Sequence, residues 1–149
     1  MLSVKLSLVL ALSLIIVSGA AFGKKMSMKE IKSFSPDSVV WTTDQKSGIS
    51  TATQWGNPKT GPSAGLIKFP KGWTAPMHHH SSDHVVGMIS GTFTVTDENG
   101  TEHRMTAGWT GTVPGKTKHS TKCGEEMDCV LFGYISGKDD MIPATTATH

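Results

Sequence analysis

The chain has 149 residues, enough for one ordinary domain and too few for two. Its 14 basic and 12 acidic residues leave a formal charge of +2 and form no basic run, which argues against a nucleic-acid-binding surface. The 16 glycines suit a turn-rich β protein, and the four tryptophans are scattered singly, as core or rim residues rather than a stacking platform for bases.

Residues 1–23 read as a secretory signal peptide. Lys5 gives a short positive start, residues 6–17 are apolar apart from Ser7 and Ser13, and small residues surround Phe22. Ala21 and Gly23 occupy the places that cleavage after Gly23 requires; Ser18 and Ala20 would serve an earlier cut. The competing reading is an uncleaved anchor, but the run is shorter than the roughly 20 residues a spanning helix needs. The mature protein is therefore expected to be exported, periplasmic or secreted, and free of the membrane. Residues 24–37 form an N-terminal arm, in which Met26, Met28, Ile31 and Phe34 are spaced for one short amphipathic turn or helix before Pro36.

From residue 38 the pattern changes to short β-rich runs at 39–43, 49–55, 64–69, around His78, and at 85–90, 92–96, 102–105, 110–113, 119–123 and 129–135. Asn57, Pro58, Gly61, Pro62, Pro70 and Gly72 separate them, and Asp97-Glu98-Asn99-Gly100 ends in the Asn-Gly pair of a tight hairpin. About ten strands at this spacing predict an all-β sandwich or jelly roll barrel over residues 38–137. Residues 138–149, rich in Ala and Thr, read as a flexible C-terminal tail.

The stretch 72–91, GWTAPMHHHSSDHVVGMISG, puts His78, His79, His80 and His84 within seven residues. On an extended segment His78, His80 and His84 share a face, and His79 points away. Neutral imidazole is the commonest side-chain ligand for divalent transition metals, and two imidazoles two residues apart on a strand can converge on one ion. A solvated polar loop is the plain alternative. A second element, GWTGTVPGKTKH at 108–119, favours the metal reading by adding His119.

Together these stretches resemble the two motifs of the cupin superfamily. The first family pattern is G, five residues, HXH, three or four residues, E, six residues, G. This chain has Gly72, five residues, His78 and His80, three residues, His84, six residues and Gly91, with histidine in place of the glutamate. The second pattern is G, five residues, PXG, two residues, H, three residues, N. Gly108, Pro114 and His119 are in register with it, the glycine comes one place early at Gly115, and Cys123 stands where asparagine is expected. The resemblance implies a cupin-type jelly roll in one domain, one divalent transition metal inside the barrel, and a homodimer. Carried over residue by residue, the ligands are His78, His80 and His119, with His84 at the acidic place. His84 has two further readings, as a proton shuttle or as a donor to a ligand, and Asp83 is a remote candidate for the displaced carboxylate.

Three histidines and a carboxylate leave a divalent ion near +1, whereas four neutral histidines leave it near +2, better able to draw in an anion or polarise a carbonyl. The all-imidazole set suits Fe, Zn, Ni, Cu or cobalt, with Mn also open, better than oxygen-seeking magnesium or calcium. With His84 inward, Val86 and Met88 would give an apolar wall, and Trp73, Trp109, Phe93 and Phe132 are further lining candidates. Tyr134, the single tyrosine, reads as packing, His103 as a surface strand residue and His149 as part of the terminus. No nucleophile elbow, phosphate loop or dinucleotide fingerprint is present, and no catalytic residue is assigned.

Cys123 and Cys129 flank GEEMD at the ends of two strand-like runs, as if closing a hairpin. Opposed residues of an antiparallel pair lie about 4.5–5.5 Å apart at Cα, within disulfide reach, and export favours oxidation. Two thiols are the alternative. The function this sequence implies is a metal-dependent enzyme, a dioxygenase or a lyase or isomerase, acting on a small oxygenated organic molecule. The alternatives are a non-catalytic small-ligand-binding or metal-sensing protein, and a structural barrel without metal.

Overall fold

The computed structural model describes residues 30–35 and 38–144. The expected signal peptide, most of the N-terminal arm and residues 145–149 lie outside them. Residues 30–35, where a short helical turn was expected, form neither helix nor strand.

Eleven strands make up the described structure: β1 (Thr42–Thr43), β2 (Ser50–Gly56), β3 (Ser63–Phe69), β4 (Thr74–His79), β5 (His84–Ser90), β6 (Thr92–Asp97), β7 (Glu102–Thr106), β8 (Thr110–Val113), β9 (His119–Cys123), β10 (Cys129–Ile135) and β11 (Ile142–Pro143). They form two antiparallel sheets, one in the order β1-β2-β3-β10-β5-β8 and the other β11-β4-β9-β6-β7. The core lies between them, where Met88, Phe93, Val95, Met105 and Leu131 are buried and Ile67, Phe69, Trp73 and Val86 pack against them. Alternation drives this burial. Along β10 Cys129, Leu131, Gly133 and Ile135 face inward, which turns Phe132 and Tyr134 outward. Phe132, at 42 % exposure, is thus on the outer face and not a pocket lining.

The registers define two ends. At one, Phe93 pairs with Cys123 and Cys129 with Phe69; at the other, His78 and Asp97 both pair with His119, and Ile135 pairs with His84. Cys123 and Cys129 stand at disulfide distance, with Cα atoms 5.8 Å apart. They do not close a hairpin within one sheet, as their spacing suggested. β9 and β10 belong to different sheets, so the pair ties the two layers together at the first end. Gly91, in the turn from β5 to β6, passes close under this pair at φ +81°; a Cβ there would lie 2.8 Å from the Asp128 carbonyl oxygen.

The second end is closed by chain expected to be a flexible tail. The Asp139 N–H donates to Pro58 O at 2.8 Å, Ile142 and Pro143 pair with His79 and His78, and the Ala144 N–H donates to Met77 O at 3.0 Å. Backbone pairing on both sides holds residues 138–144 across this end as a strap, a long-range arrangement that Ala and Thr content does not reveal.

Candidate metal centre

His78 owes its inward aim to a bulge. Between Ala75 and His78 the β4–β9 register slips: Ala75 faces Thr121 and His78 faces His119, three residues on β4 against two on β9. Pro76 has no N–H for the ladder, and the extra residue lets Ala75 and His78, three positions apart, both be buried. His119 opens β9 directly opposite. His80 follows β4, and His84 opens β5 between Val113 and Ile135.

The turn that delivers His119 contains a strained residue. Lys116 has φ 67°, the left-handed region that favours glycine, and it occupies the slot where the cupin motif carries glycine. Its N–H donates to His80 O at 2.7 Å, joining the two motifs. Asp83 adds a second link, its Oδ1 accepting the Gly115 N–H at 2.8 Å. Asp83 therefore fastens the loops and is in neither group of prospective ligands. His79 is likewise in neither, as its parity requires.

The hydrogen bonds fix the protonation of three rings. His78 Nδ1 meets Pro76 O at 2.8 Å, His119 Nδ1 meets Thr117 O at 2.9 Å, and His80 Nδ1 bonds to Asp140 O. A carbonyl oxygen only accepts, so each Nδ1 carries the proton and each neutral ring keeps its lone pair on Nε2. The ligand atoms of His78, His80 and His119 all lie within 4.8 Å of one another. Ring centres are 4.4 Å apart for His78 and His119, 5.0 Å for His78 and His80, and 5.2 Å for His80 and His119. Two imidazoles bound at right angles to one ion have ring centres about 4.5 Å apart, so the set fits a transition metal with small adjustment.

His84 stacks on His80 at 4.0 Å, and its Nε2 is buried with no hydrogen-bond partner among the described residues. A buried polar atom left without a partner costs about 1–3 kcal/mol, and in the tautomer with Nε2 unprotonated a cation would relieve that cost. Its nearest grouping differs from the expected one, however. The ligand atoms that cluster with His84 are those of His80 and of Asp139, so the four histidines and Asp139 form two overlapping triads that share His80. Sequence reasoning missed Asp139 because it belongs to no motif. The signal lies in topology alone: Ile135 pairs with His84, and Asp139 is four residues further on.

Burial shapes the electrostatics. Desolvation, with the neighbouring histidines adding to it, lowers the pKa of both His78 and His84 to about 4. Desolvation also lowers that of His80, against the opposing bond to Asp140 O. These rings are neutral at pH 7 and bind a cation without first losing a proton. Asp139 moves the other way, its pKa raised by desolvation and then by Asp140. Asp140 is held below the usual carboxylate range, chiefly by the Ser81 N–H.

Two clefts lie away from the ring nitrogens. One of about 660 Å³ covers the threonine-rich outer face of β4, β9 and β6. The other, about 620 Å³, runs between β7 and β8, with Val86, Val95, Met105, Trp109 and Val113 on its apolar side and Glu102, His103 and Arg104 on its polar side. Val113 is also the register partner of His84, so this second cleft approaches the histidine end. His103, 60 % exposed at its side chain, is the surface strand residue expected of it.

Residues 65–133 match the model of the Cupin domain family. No curated protein matches the chain. Among solved structures it is similar to an RmlC-like cupin from Shewanella frigidimarina, with 24% identity over 76% of this chain and 97% of that one at a TM-score of 0.57. It is similar to KdgF from Halomonas sp., with 24% identity over 74% and 98% at a TM-score of 0.58. It also resembles the polyketide cyclase RemF from Streptomyces resistomycificus, with 12% identity over 80% and 89% at a TM-score of 0.63. At such identities these likenesses carry the fold alone. The family match begins in β3, ends in β10 and so brackets both histidine motifs within a two-sheet jelly roll: residues 65–133 form a cupin domain.

Proposed function

We propose that this cupin is an exported, metal-dependent enzyme of the oxygenase or lyase and isomerase kind, acting on a small oxygenated organic molecule. The observation that carries the reading is the convergence of His78, His80 and His119, each with Nδ1 tied to a backbone carbonyl and Nε2 left free to ligate, and with one ligand atom from each ring within 4.8 Å of the others. When bound, a divalent metal would supply a Lewis acid able to polarise a carbonyl or hydroxyl oxygen.

The chain's own contributions are orientation, exclusion of water and an apolar approach. The backbone carbonyls of Pro76, Thr117 and Asp140 hold the three rings in one tautomer. The loop 80–83 and the strap cover them. Val86, Trp109 and Val113 offer a wall for the carbon skeleton of a substrate beside His84. The likeness to a polyketide cyclase is compatible with such chemistry at the level of fold. Export is supported by the Cys123–Cys129 pair at disulfide distance, which an oxidising compartment would keep joined.

The test is elemental analysis of the untagged mature protein beside a His78→Ala, His119→Ala double variant. The reading expects near-stoichiometric transition metal in the first and none in the second. Iron, manganese, nickel or copper would direct screening to oxygen consumption, and zinc to lyase, cyclase or isomerase substrates. Metal without turnover of any such substrate would favour a ligand-binding or metal-sensing role, and no metal uptake at all would overturn the reading.

A further inference from the structure

We infer that Asp139 supplies the carboxylate that the first histidine motif lacks, so that the C-terminal strap completes the metal centre. The inference rests on the metal reading above and deepens it. Its basis is a juxtaposition of His80, His84 and Asp139, whose ligand atoms all lie within 4.8 Å of one another although Asp139 is more than fifty residues away in the chain.

Of the acidic residues in the loop after β4 and in the strap, Asp83 and Asp140 are engaged. Asp83 Oδ1 accepts the Gly115 N–H at 2.8 Å. Asp140 accepts from the Ser81 N–H at 2.9 Å through Oδ1 and from the Ser81 hydroxyl at 2.8 Å through Oδ2. Asp139 has no salt bridge and accepts no side-chain hydrogen bond among the described residues, so its oxygens are available where the other two are not. His84, in the same group, also lacks a partner: its Nε2 is buried and has none among the described residues. A cation between them would give the buried His84 nitrogen the partner it lacks, while the solvent-exposed Asp139 carboxylate would exchange water for the ion.

The strap places this carboxylate with little freedom left to lose. Its main chain is pinned immediately before and after the side chain, by the Asp139 N–H on Pro58 O at 2.8 Å and by His80 Nδ1 on Asp140 O. The Ser81 bonds fix Asp140, and β11 pairs beyond it. Neighbouring residues thus divide the work, Asp140 setting the tautomer of His80 and Asp139 delivering charge. The charge balance gives the division a purpose. Four neutral imidazoles leave a divalent ion near +2 in a partly desolvated site, and one carboxylate brings it near +1. Replacement of the motif glutamate by His84 is then a relocation of the anionic ligand to another segment, and the charge of the centre is kept.

The experiment is a titration of the metal-free protein with Zn²⁺ by competition against a chelating dye, repeated with Co²⁺ to read the ligand field from its visible spectrum. Wild type, Asp139→Asn, Asp139→Ala and the His78→Ala, His119→Ala pair are compared, after thermal unfolding shows that the metal-free Asp139 variants melt with the wild type. A ligating Asp139 predicts Zn²⁺ affinity at least about tenfold weaker in Asp139→Asn, an altered Co²⁺ spectrum, and partial recovery of affinity in Asp139→Ala on adding acetate. Equal affinity and an unchanged spectrum in Asp139→Asn, with binding still lost in the histidine pair, would overturn this inference and leave the metal reading standing. No binding by the wild type would overturn both.

Discussion

Where β9 ends, Cys123 and Cys129 meet between the sheets with no exposed surface, embedded in a cluster that includes Phe93, Met88 and Leu131. Where β9 begins, His78 and His119 are nearly as deeply buried, at 4 % and 2 % exposure, yet their nearest ring neighbours are further histidines. The same strand therefore serves two ends with opposite chemistry. The cysteine end joins the layers by apolar packing and a cross-sheet pair, and has no requirement for a ligand. The histidine end is joined by hydrogen bonds from loop to loop and strap to loop, and among the described residues it keeps one buried ring nitrogen, His84 Nε2, without a partner. The difference teaches that burial here has two meanings, stability at one end and readiness at the other.

The comparison breaks most visibly if metal stabilisation depends on anything but the histidine end. Saturation with Zn²⁺ at about 1,000 times its dissociation constant should stabilise the wild type by about 4 kcal/mol, and His119→Ala should lose that gain entirely in urea unfolding with and without metal. Acid should act on the same end. The ordinary histidine value applies to the unfolded chain, while His78 and His84 titrate near 4 when folded, so the unfolded state binds the extra protons between these limits. The contribution of these rings is complete above about pH 6.5 and is lost as pH falls towards 4; the raised pKa of Asp139 partly opposes the loss. Metal uptake should accordingly weaken less between pH 7 and pH 5 than that of an exposed histidine cluster, as titrations at both pH values can check.

At the other end, replacing both cysteines by alanine should cost about 2 kcal/mol of stability, equally with and without Zn²⁺, since the loop they close is short and far from the rings. A fall in metal affinity beyond about threefold would show that the two ends are coupled. The smallest expected effect sharpens the description of the histidine end. Lys116→Gly should stabilise by up to about 1 kcal/mol, because glycine removes the left-handed strain while adding some unfolded-state entropy, and metal affinity should not change.

Much of this was legible in the residues. The strand runs from 49 to 135 fall within one or two residues of the observed β2 to β10, because alternation along strands such as β10 and punctuation by Gly, Pro and Asn are local signals. The histidines were legible through spacing, and His79 was separable by parity. What stayed hidden was set by tertiary pairing. Nothing local in GEEMD says that the flanking strands enter different sheets, so the cysteine pair looked like a hairpin closure. Nothing in GKDDMIPA announces a strap, since β11 has two residues and is stabilised only by β4. Asp139 was invisible for the same reason: its chemistry depends on where β10 delivers the chain, not on its neighbours in sequence.

The central claim is that the histidine end of the sandwich is a metal centre. The most direct test is a crystal of the untagged protein loaded with Zn²⁺ or Co²⁺, with anomalous data collected on either side of the metal absorption edge. The account predicts one strong peak at about 2.0–2.2 Å from Nε2 of His78, His80 and His119, with density reaching it from Asp139 or His84. A map with no peak among these rings, or with the peak on a surface histidine such as His103, would contradict it.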